Sequence, residues 1–362
     1  MNTRMQELYA HLENQRMDAM LITSPKHVYY LTGFATDPHE RFLGLLLARG
    51  EEPSLLVPAL DYEAAATATG MARIHTHADT DNAHDVLRKL IPSSVGTLGV
   101  EKDDLSVTRY EALAAAIGAE SYVDVGKPLR EMRAMKSPDE VARMRHAARL
   151  VEDALRAGVA RAKPGATEIE LVAELEYQMK KLGAQGPSFE TMVLSGAKSA
   201  LPHGQPDATP IREGDLLLFD LGVFADGYAS DITRTFAVGD VSDEAKRIYA
   251  AVLNANLRAI EAIRPGVTFG SLDRAARTII ENAGYGPYFM HRLGHGLGMD
   301  IHEYPSVHGL NEDLVRAGMA FTVEPGIYIP GVGGVRIEDD VVATEDGVDV
   351  LTAFPKELTV IG

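Results

Sequence analysis

The sequence contains no cysteine, few basic residues and no long apolar segment. Without cysteine the chain can form neither disulfides nor thiolate metal sites, and this favours a reducing compartment. Its 35 Lys and Arg against 52 Asp and Glu give a net charge of −17, which argues against nucleic acid as a partner because phosphate binding needs a basic face. The longest apolar run, residues 216–225, is shorter than a membrane span and is broken by Asp220.

The same features predict where the protein is found. Residues 1–7 lack the apolar core of a signal peptide, so we expect a cytoplasmic protein that has no membrane partner. The acidity is explained either by solubility alone or by carboxylates that are gathered around a cation.

The length and the pattern of the first third predict an N-terminal α/β domain. At 362 residues the chain is about twice as long as a typical domain. Met5, Leu8 and Leu12 share one helical face, and a second helical pattern covers 107–117. Short apolar runs that predict strands lie at 19–23, 43–48, 54–57, 98–100 and 122–125. We find no catalytic motif and no glycine-rich phosphate loop in this part.

A helix start marks the junction between two predicted domains. Ser137 is placed to cap a helix, Pro138 occupies its first position and Glu140 completes a capping box. The segment before it, residues 127–136, is basic and contains proline. We therefore predict an N-terminal α/β domain over 1–130 and a second domain over 131–362.

The second domain contains an internal repeat. Lys163-Pro164-Gly165-Ala166-Thr167 recurs as Arg264-Pro265-Gly266-Val267-Thr268, and three further matches follow in the same order. These pair Gly183 with Gly284, residues 211–215 with 315–319, and residues 219–222 with 323–326. Each half reads as helices followed by an antiparallel hairpin, which predicts a duplicated α+β unit with pseudo-two-fold symmetry.

Each predicted hairpin carries two carboxylates. Asp220 and Asp231 flank a turn at 225–227, and in a simple hairpin they are direct cross-strand partners. Glu324 and Glu338 flank the turn at 330–334 in the same way. All four lie in or beside apolar strands, and like charges this close are destabilising. Either some of the four are protonated or cations bind them.

Histidines supply nitrogen ligands near these carboxylates. His291, His295 and His302 lie in one glycine-rich block, in which glycine at alternate positions favours a strand or loop over a helix. The His-x-x-x-His spacing is unlike a zinc-protease helix, because Arg292 rather than glutamate follows the first histidine.

These residues resemble the proline-specific metallopeptidases of pita-bread fold, which include aminopeptidase P, prolidase and, more distantly, methionine aminopeptidase. The resemblance covers the whole chain and implies a creatinase-like N-terminal domain over 1–130 and a pita-bread metallopeptidase catalytic domain over 131–362. The family's ligand order appears without substitution, and other motif positions match as well. The matching ligands are Asp220, Asp231, His295, Glu324 and Glu338, and the other matches are His203, His291, His302, Tyr328 and Arg336.

The resemblance implies two divalent ions and assigns a role to each residue. Asp231 and Glu338 bridge both ions, Asp220 completes one site, and His295 with Glu324 completes the other. Glu324 also transfers the proton during catalysis. His203 and His302 donate to the substrate carbonyl or oxyanion, His291 and Tyr328 line the substrate pocket, and Arg336 orients a ligand.

Several alternatives concern the metal and the family branch. The hard, oxygen-rich ligand set suits Mn(II) best, then Co(II), Zn(II) or Fe(II), while Mg(II) would retain more water. Methionine aminopeptidases lack a long N-terminal domain of this kind, and creatinase-like hydrolases lack the ligand set. A non-enzymatic relative would tolerate ligand loss, and no ligand is lost here. The resemblance to two-domain family members also implies a homodimer.

Substrate length is the finest prediction. Prolidases often place an arginine shortly after the His-Glu pair to bind the carboxylate of a dipeptide, but Ser306 stands in that region here. A polar loop at 37–42 offers His39 or Arg41 instead, on this chain or on a partner chain, and a solvated turn is the competing interpretation. We therefore expect hydrolysis of Xaa-Pro dipeptides, with aminopeptidase P activity on longer Xaa-Pro peptides as the alternative.

Overall fold

The computed structural model describes residues 2–362 and divides them into two compact units. One unit ends at Met132, and the other runs over Arg133–Gly362. Each unit buries its own apolar side chains, so each is described by itself.

The N-terminal unit is built on one mixed sheet. Its helices are α1 (Thr3–Asn14), α2 (Pro25–Thr32), α3 (Tyr62–Thr69), α4 (Ala83–Leu90), α5 (Val107–Ile117) and α6 (Gly126–Ala134), the last of which continues into the second unit. Its strands are β1 (Ala19–Ile22), β2 (Gly44–Ala48), β3 (Ser54–Pro58), β4 (Ile74–His77), β5 (Thr97–Val100) and β6 (Ser121–Asp124). The strand order is β4-β3-β2-β1-β5-β6.

The apolar runs predicted most of this sheet. Strands β1, β2, β3, β5 and β6 and helix α5 lie where the sequence predicts them, which confirms the α/β class. Helix α1 buries Met5, Leu8 and Leu12 as its periodicity predicts. Strand β4 was missed because its sequence, Ile74-His75-Thr76-His77, has no apolar run to mark it.

The second unit contains two helical pairs and several small sheets. Its helices are α7 (Pro138–Val159), α8 (Glu168–Lys181), α9 (Asp243–Glu261) and α10 (Phe269–Asn282). Its first strands are β7 (Gly186–Pro187), β8 (Met192–Ser195), β9 (Leu216–Leu221), β10 (Val223–Ala225), β11 (Tyr228–Ala229) and β12 (Ile232–Val238). They are followed by β13 (Gly294–Gly296), β14 (Glu303–Val307), β15 (Ala320–Val323), β16 (Gly326–Ile329), β17 (Gly333–Arg336), β18 (Asp339–Ala343), β19 (Val348–Val350) and β20 (Val360–Ile361).

The internal repeat is present in the structure. Thr167 and Thr268 cap equivalent helices, α8 and α10, by accepting from the backbone N–H three residues later. Gly165 N donates to Ile211 O and Gly266 N to Val315 O, so the two copies make the same contact. Each helical pair covers its own core, α7 and α8 over β9 and β12, and α9 and α10 over β15 and β18. The predicted duplication is therefore confirmed.

The two repeats meet along β12 and the segment from β17 to β18. Glu338 N donates to Thr233 O (3.1 Å), and the hydroxyl of Thr235 donates to Arg336 O (3.1 Å). This contact places one hairpin from each repeat side by side. The carboxylates of both hairpins are therefore brought to one place.

At the start of this unit, helix α7 begins as predicted. Ser137 Oγ accepts from Glu140 N, and the Glu140 carboxylate accepts from Ser137 N (2.9 Å). This reciprocal pair satisfies two donors that a helix start would otherwise leave without partners.

Candidate metal centre

Three of the predicted ligands converge closely in the second unit. One ligand atom each from Asp231, His295 and Glu338 lies within 4.8 Å of the others. His295 Nε2 is 3.6 Å from Asp231 Oδ2 and 3.4 Å from Glu324 Oε1. Asp220 lines the same cavity, which has a volume of about 740 Å³. All five side chains from the sequence prediction therefore border one pocket.

The register of the first hairpin differs from the sequence prediction. Asp220 pairs with Thr233 rather than with Asp231. The turn is the two-residue Asp226-Gly227, in which both residues have positive φ (51° and 78°). Such a turn is typical of tight hairpins and moves the register two residues away from the predicted one. Asp231 therefore lies between β11 and β12, where its backbone N–H donates to Asp340 Oδ2 (2.9 Å).

The second hairpin has the predicted register. The pairs Val323–Asp339 and Gly326–Arg336 flank Glu324 and Glu338 in one continuous register. These two glutamates are therefore cross-strand neighbours. Their backbone lies between two short ladders, β15 with β18 and β16 with β17.

His295 owes its position to close strand contacts. Strand β13 pairs with β14 and β15, and the register with β14 shifts between His295 and Gly296. Such an irregularity re-aims a side chain. A Cβ at residue 294 would collide with the Thr322 backbone carbonyl, and one at residue 296 with that of Tyr304. Glycine on both sides of His295 therefore lets the neighbouring strands approach.

The donors around this cluster suit a cation. Asp220 Oδ1 and Asp231 Oδ1 are buried and accept no hydrogen bond from any residue in 2–362. A buried carboxylate oxygen without a donor is costly unless the group is protonated or binds a positive ion. A set of four carboxylates and one imidazole is a hard, oxygen-rich ligand set for divalent metal. The residues present therefore fit a divalent metal centre.

Electrostatics support this interpretation. Burial raises the pKa of the Glu324 carboxyl to about 7, against the opposing charge of Arg336. Burial and the neighbouring carboxylates also raise the pKa of Asp231 and of Glu338 well above their ordinary values. Burial lowers the pKa of His295 to about 3, so its imidazole is neutral and free to act as a ligand. Protein groups alone leave this cluster of carboxylates poorly compensated.

Arg336 links the cluster to the pocket wall. Its guanidinium binds the Asp220 carboxylate, donates to the Tyr328 hydroxyl (2.6 Å) and donates through Nε to Thr233 Oγ1 (3.0 Å). Tyr328 OH in turn lies 3.1 Å from His291 Nε2. A buried arginine with three partners fixes the geometry of all of them.

The histidines predicted to contact substrate border the same cavity. His203, His291 and His302 all line it, and the His302 ring packs edge-on against that of His295 with centroids 4.2 Å apart. Partial burial and the charge of Arg292 lower the pKa of His302. Six apolar side chains also line the wall: Phe189, Met192, Leu201, Pro202, Met290 and Ile301.

His39 and Arg41 belong to the N-terminal unit, whereas the residues that line this cavity belong to the second unit. The Arg41 guanidinium binds Asp79 through Nε (2.7 Å) and Nη2 (3.0 Å). His39 is exposed and has a positive φ of 53°. Their proposed role in substrate binding stays a prediction.

Sequence reasoning missed two threonines that orient the cluster. Thr233 Oγ1 donates to Glu338 Oε2 (2.6 Å), and Thr322 Oγ1 donates to Glu324 Oε1 (3.2 Å). Each lies two residues from an acidic residue of the cluster, Asp231 and Glu324, along the chain. In a strand this spacing places side chains on one face, and it is the signal that could have found them.

No helix within residues 2–362 has both the length and the apolar character that a membrane crossing requires.

Comparisons with known proteins give the family. The Metallopeptidase family M24 matches residues 142–345, and the Creatinase/Prolidase N-terminal domain matches residues 4–135. The protein YkvY of Bacillus subtilis is 45% identical over 361 residues, which cover 99% of each chain.

Solved structures are similar over the same length. The Xaa-Pro dipeptidase from Bacillus anthracis has a TM-score of 0.93 and 36% identity, with 98% of each chain covered. The X-Pro aminopeptidase from Thermotoga maritima has a TM-score of 0.89 and 33% identity, with 97% of this chain and 100% of the other covered. The chain therefore belongs to metallopeptidase family M24, with a creatinase-type N-terminal domain ahead of a pita-bread catalytic domain.

Proposed function

We propose that the protein is a two-metal hydrolase that cleaves the bond before proline in Xaa-Pro dipeptides. The observation that carries this proposal is the convergence of four carboxylates and His295 on one pocket. His291 and Arg336 also line this pocket, and Tyr328 does not line it but is buried and bonded to both. Similarity to an Xaa-Pro dipeptidase over almost the whole chain supports the dipeptide as substrate.

The ligands proposed for the metal are the five that border the pocket: Asp220, Asp231, His295, Glu324 and Glu338. Their oxygen-rich chemistry suits Mn(II) best, with Co(II) and Zn(II) as alternatives. Divalent ions bound there would supply Lewis acidity toward the substrate carbonyl and an attacking water.

We propose that the protein's own groups transfer the proton and stabilise the developing charge. The leaving nitrogen of proline belongs to a tertiary amide and must gain a proton to depart. Glu324 is the group proposed to take a proton from water and deliver it to that nitrogen, and its position in the pocket beside His295 supports this role. His203 and His302 are proposed to donate hydrogen bonds to the carbonyl oxygen as negative charge develops on it, and both line the pocket.

Binding of the substrate falls to the pocket wall. Burial lowers the pKa of His291 to about 4. Its imidazole is therefore neutral where it would face the apolar proline ring. His39 and Arg41 are proposed to close over the substrate, from this chain or a partner chain. For Arg41 this requires that it release Asp79.

Three further assignments follow from resemblance and composition. We propose a homodimer, which sedimentation would contradict if only the 39.1 kDa species appears at micromolar concentration. We also propose a cytoplasmic location, which fits a chain without cysteine. Small peptides are the expected binding partners.

Turnover with defined peptides tests the function. The metal-loaded protein should hydrolyse Leu-Pro, should cleave Leu-Ala and Leu-Pro-Gly poorly, and should lose activity on chelation. Equal cleavage of the tripeptide would favour aminopeptidase P activity instead. A metal-loaded protein that cleaves no Xaa-Pro bond would refute the proposal.

A further inference from the structure

A second arginine lines the pocket, and the roles above do not use it. Arg292 borders the cavity that His291 and the metal ligand candidates also line, and its side chain is half-buried. Its backbone is held in place because the Arg292 carbonyl bonds His291 Nδ1 (2.8 Å). The Cα of Arg292 therefore lies at a defined position beside the predicted proline pocket.

The guanidinium of Arg292 is also anchored. Its Nη1 donates to Ser306 Oγ (3.0 Å), and Ser306 pairs directly with His295 across strands β13 and β14. The charge of Arg292 lowers the pKa of His302 and opposes ionisation of His295, in each case after the larger effect of burial. The contact with Ser306 places the guanidinium beside the cross-strand partner of His295.

The two arginines of the pocket differ in how their charge is used. Arg336 is buried, and its guanidinium bonds Asp220, Tyr328 and Thr233. In contrast, Arg292 forms an ion pair with no carboxylate among the residues described, 2–362, and its side-chain partner is a neutral hydroxyl. A guanidinium has five N–H donors, so the contact with Ser306 leaves donors for a planar anion.

We propose that Arg292 binds the free carboxylate of an Xaa-Pro dipeptide, with Ser306 holding the guanidinium in position. This inference rests on the proposed function. In such a dipeptide the carboxylate is attached to the carbon next to the nitrogen of the scissile bond. It therefore lies on the proline side of the site, where His291 and Arg292 are neighbours. A longer peptide has a neutral amide at this point, so the arginine selects for substrate length.

The same position explains why Ser306 is compatible with dipeptide cleavage. Prolidases often carry this arginine shortly after the position of the His302-Glu303 pair. From the sequence, His39 or Arg41 of the N-terminal loop was the predicted substitute. Here the hydroxyl of Ser306 receives a guanidinium from the other strand of the pair. The cation comes from residue 292 instead of residue 306, and Arg41 is not needed for this contact.

Matched substrates test the inference. Kinetics of wild type and Arg292→Gln would be measured on Leu-Pro and on Leu-Pro amide, which differ only in the carboxylate. Loss of a charge-assisted contact should raise KM for Leu-Pro about ten- to a hundredfold, with kcat nearly unchanged. The Leu-Pro amide reaction should be unaffected. Ser306→Ala should show a smaller rise, about fivefold.

Two controls exclude a general effect of charge or fold. Arg316→Gln removes the same charge from an exposed position outside the pocket and should leave both substrates unaffected. Metal content and thermal unfolding of Arg292→Gln should match wild type. An equal loss on both substrates would assign Arg292 a structural role, and no loss on either would overturn the inference. A selective loss in Arg41→Ala alone would move the contact to Arg41.

Binding of the product separates this inference from the proposed function. Calorimetry of the metal-loaded protein should show that Arg292→Gln weakens proline binding at least tenfold but leaves prolinamide binding unchanged. If proline binding does not depend on Arg292, the inference fails even when turnover is proline-specific. If wild type cleaves no Xaa-Pro peptide, the proposed function fails, and the inference fails with it.

Discussion

Thr233 Oγ1 donates a 2.6 Å hydrogen bond to Oε2 of Glu338. The same hydroxyl oxygen accepts from Nε of Arg336 (3.0 Å), so its proton is directed to the carboxylate. One buried hydroxyl thereby fixes the orientation of a predicted bridging ligand. It also connects this ligand to the arginine that binds Asp220.

Replacing this hydroxyl should weaken metal binding. Thr233→Val keeps the shape of the side chain but leaves Glu338 without its donor, and loss of a group that orients a ligand typically costs ten- to a hundredfold in metal affinity. Calorimetric titration with Mn(II) measures this. Thr235→Val is the matched control, since Thr235 is buried on the same strand and its hydroxyl bonds the Arg336 backbone instead of a carboxylate of the cluster. Equal affinities in the two variants would contradict the prediction.

Removing a bridging charge should abolish metal binding altogether. Asp231→Asn and Glu338→Gln keep the size of each side chain, but a neutral amide cannot bridge two cations. We expect loss of bound metal by elemental analysis and loss of peptide hydrolysis, while hydrogen exchange shows an intact N-terminal unit. Asp226→Asn, in the exposed turn of the same hairpin, should retain both properties. Full metal occupancy with normal turnover in Asp231→Asn would exclude the assignment.

The sequence predicted the identity of the cluster better than its geometry. The repeat and the carboxylate at equivalent places in each hairpin could be predicted because the duplicated unit repeats the same short motifs along the sequence. The partner of Asp220 was not, because a two-residue turn at Ala225-Asp226 and one at Asp226-Gly227 are both compatible with this sequence and differ by two residues in register. Contacts between the repeats, such as Thr233 with Glu338, depend on packing that no local pattern encodes.

The charged residues at the start of the second unit show the same limit. In the sequence, Arg133 and Lys136 belong to the basic segment 127–136 between the two predicted domains. In the structure both are buried and bind Glu303. They lie more than 160 residues from this partner along the chain. Only the fold shows that these two residues form a buried ion cluster with Glu303, next to His302.

The glycine before His295 should not tolerate a side chain. In Gly294→Ala the added methyl group would meet the Thr322 backbone carbonyl, which cannot move without separating β13 from β15. Overpacking of this kind costs about 1–3 kcal/mol, and we expect a loss of metal affinity as well because Thr322 Oγ1 binds His295 N (3.1 Å). Gly347→Ala has open space around the new methyl and serves as the control. Urea unfolding and metal titration that give equal values for both variants would refute this.

The buried ion cluster around Glu303 should make stability depend on pH. Burial opposes ionisation of Glu303, but the charges of Lys136 and Arg133 outweigh it and lower the pKa to about 2 from the ordinary 4.5. Because the folded-state pKa is depressed, this stabilisation is complete above about pH 4.5 and is lost as the pH falls toward 2. The shift corresponds to about 3 kcal/mol in full, and to about 2 kcal/mol between pH 5 and pH 3.

Comparison with Glu303→Gln isolates this contribution from that of the other carboxylates. The variant leaves buried Lys136 without its carboxylate and Arg133 with the more exposed Asp300, and it should be about 3–5 kcal/mol less stable at neutral pH. Between pH 5 and pH 3, the free energy of unfolding of the second unit should fall about 2 kcal/mol further in wild type than in the variant. Urea titration of the full-length protein measures this. Asp300→Asn removes only the more exposed partner of Arg133, so its pH dependence should follow that of wild type. Parallel curves for wild type and Glu303→Gln would mean that the ion cluster does not stabilise the fold.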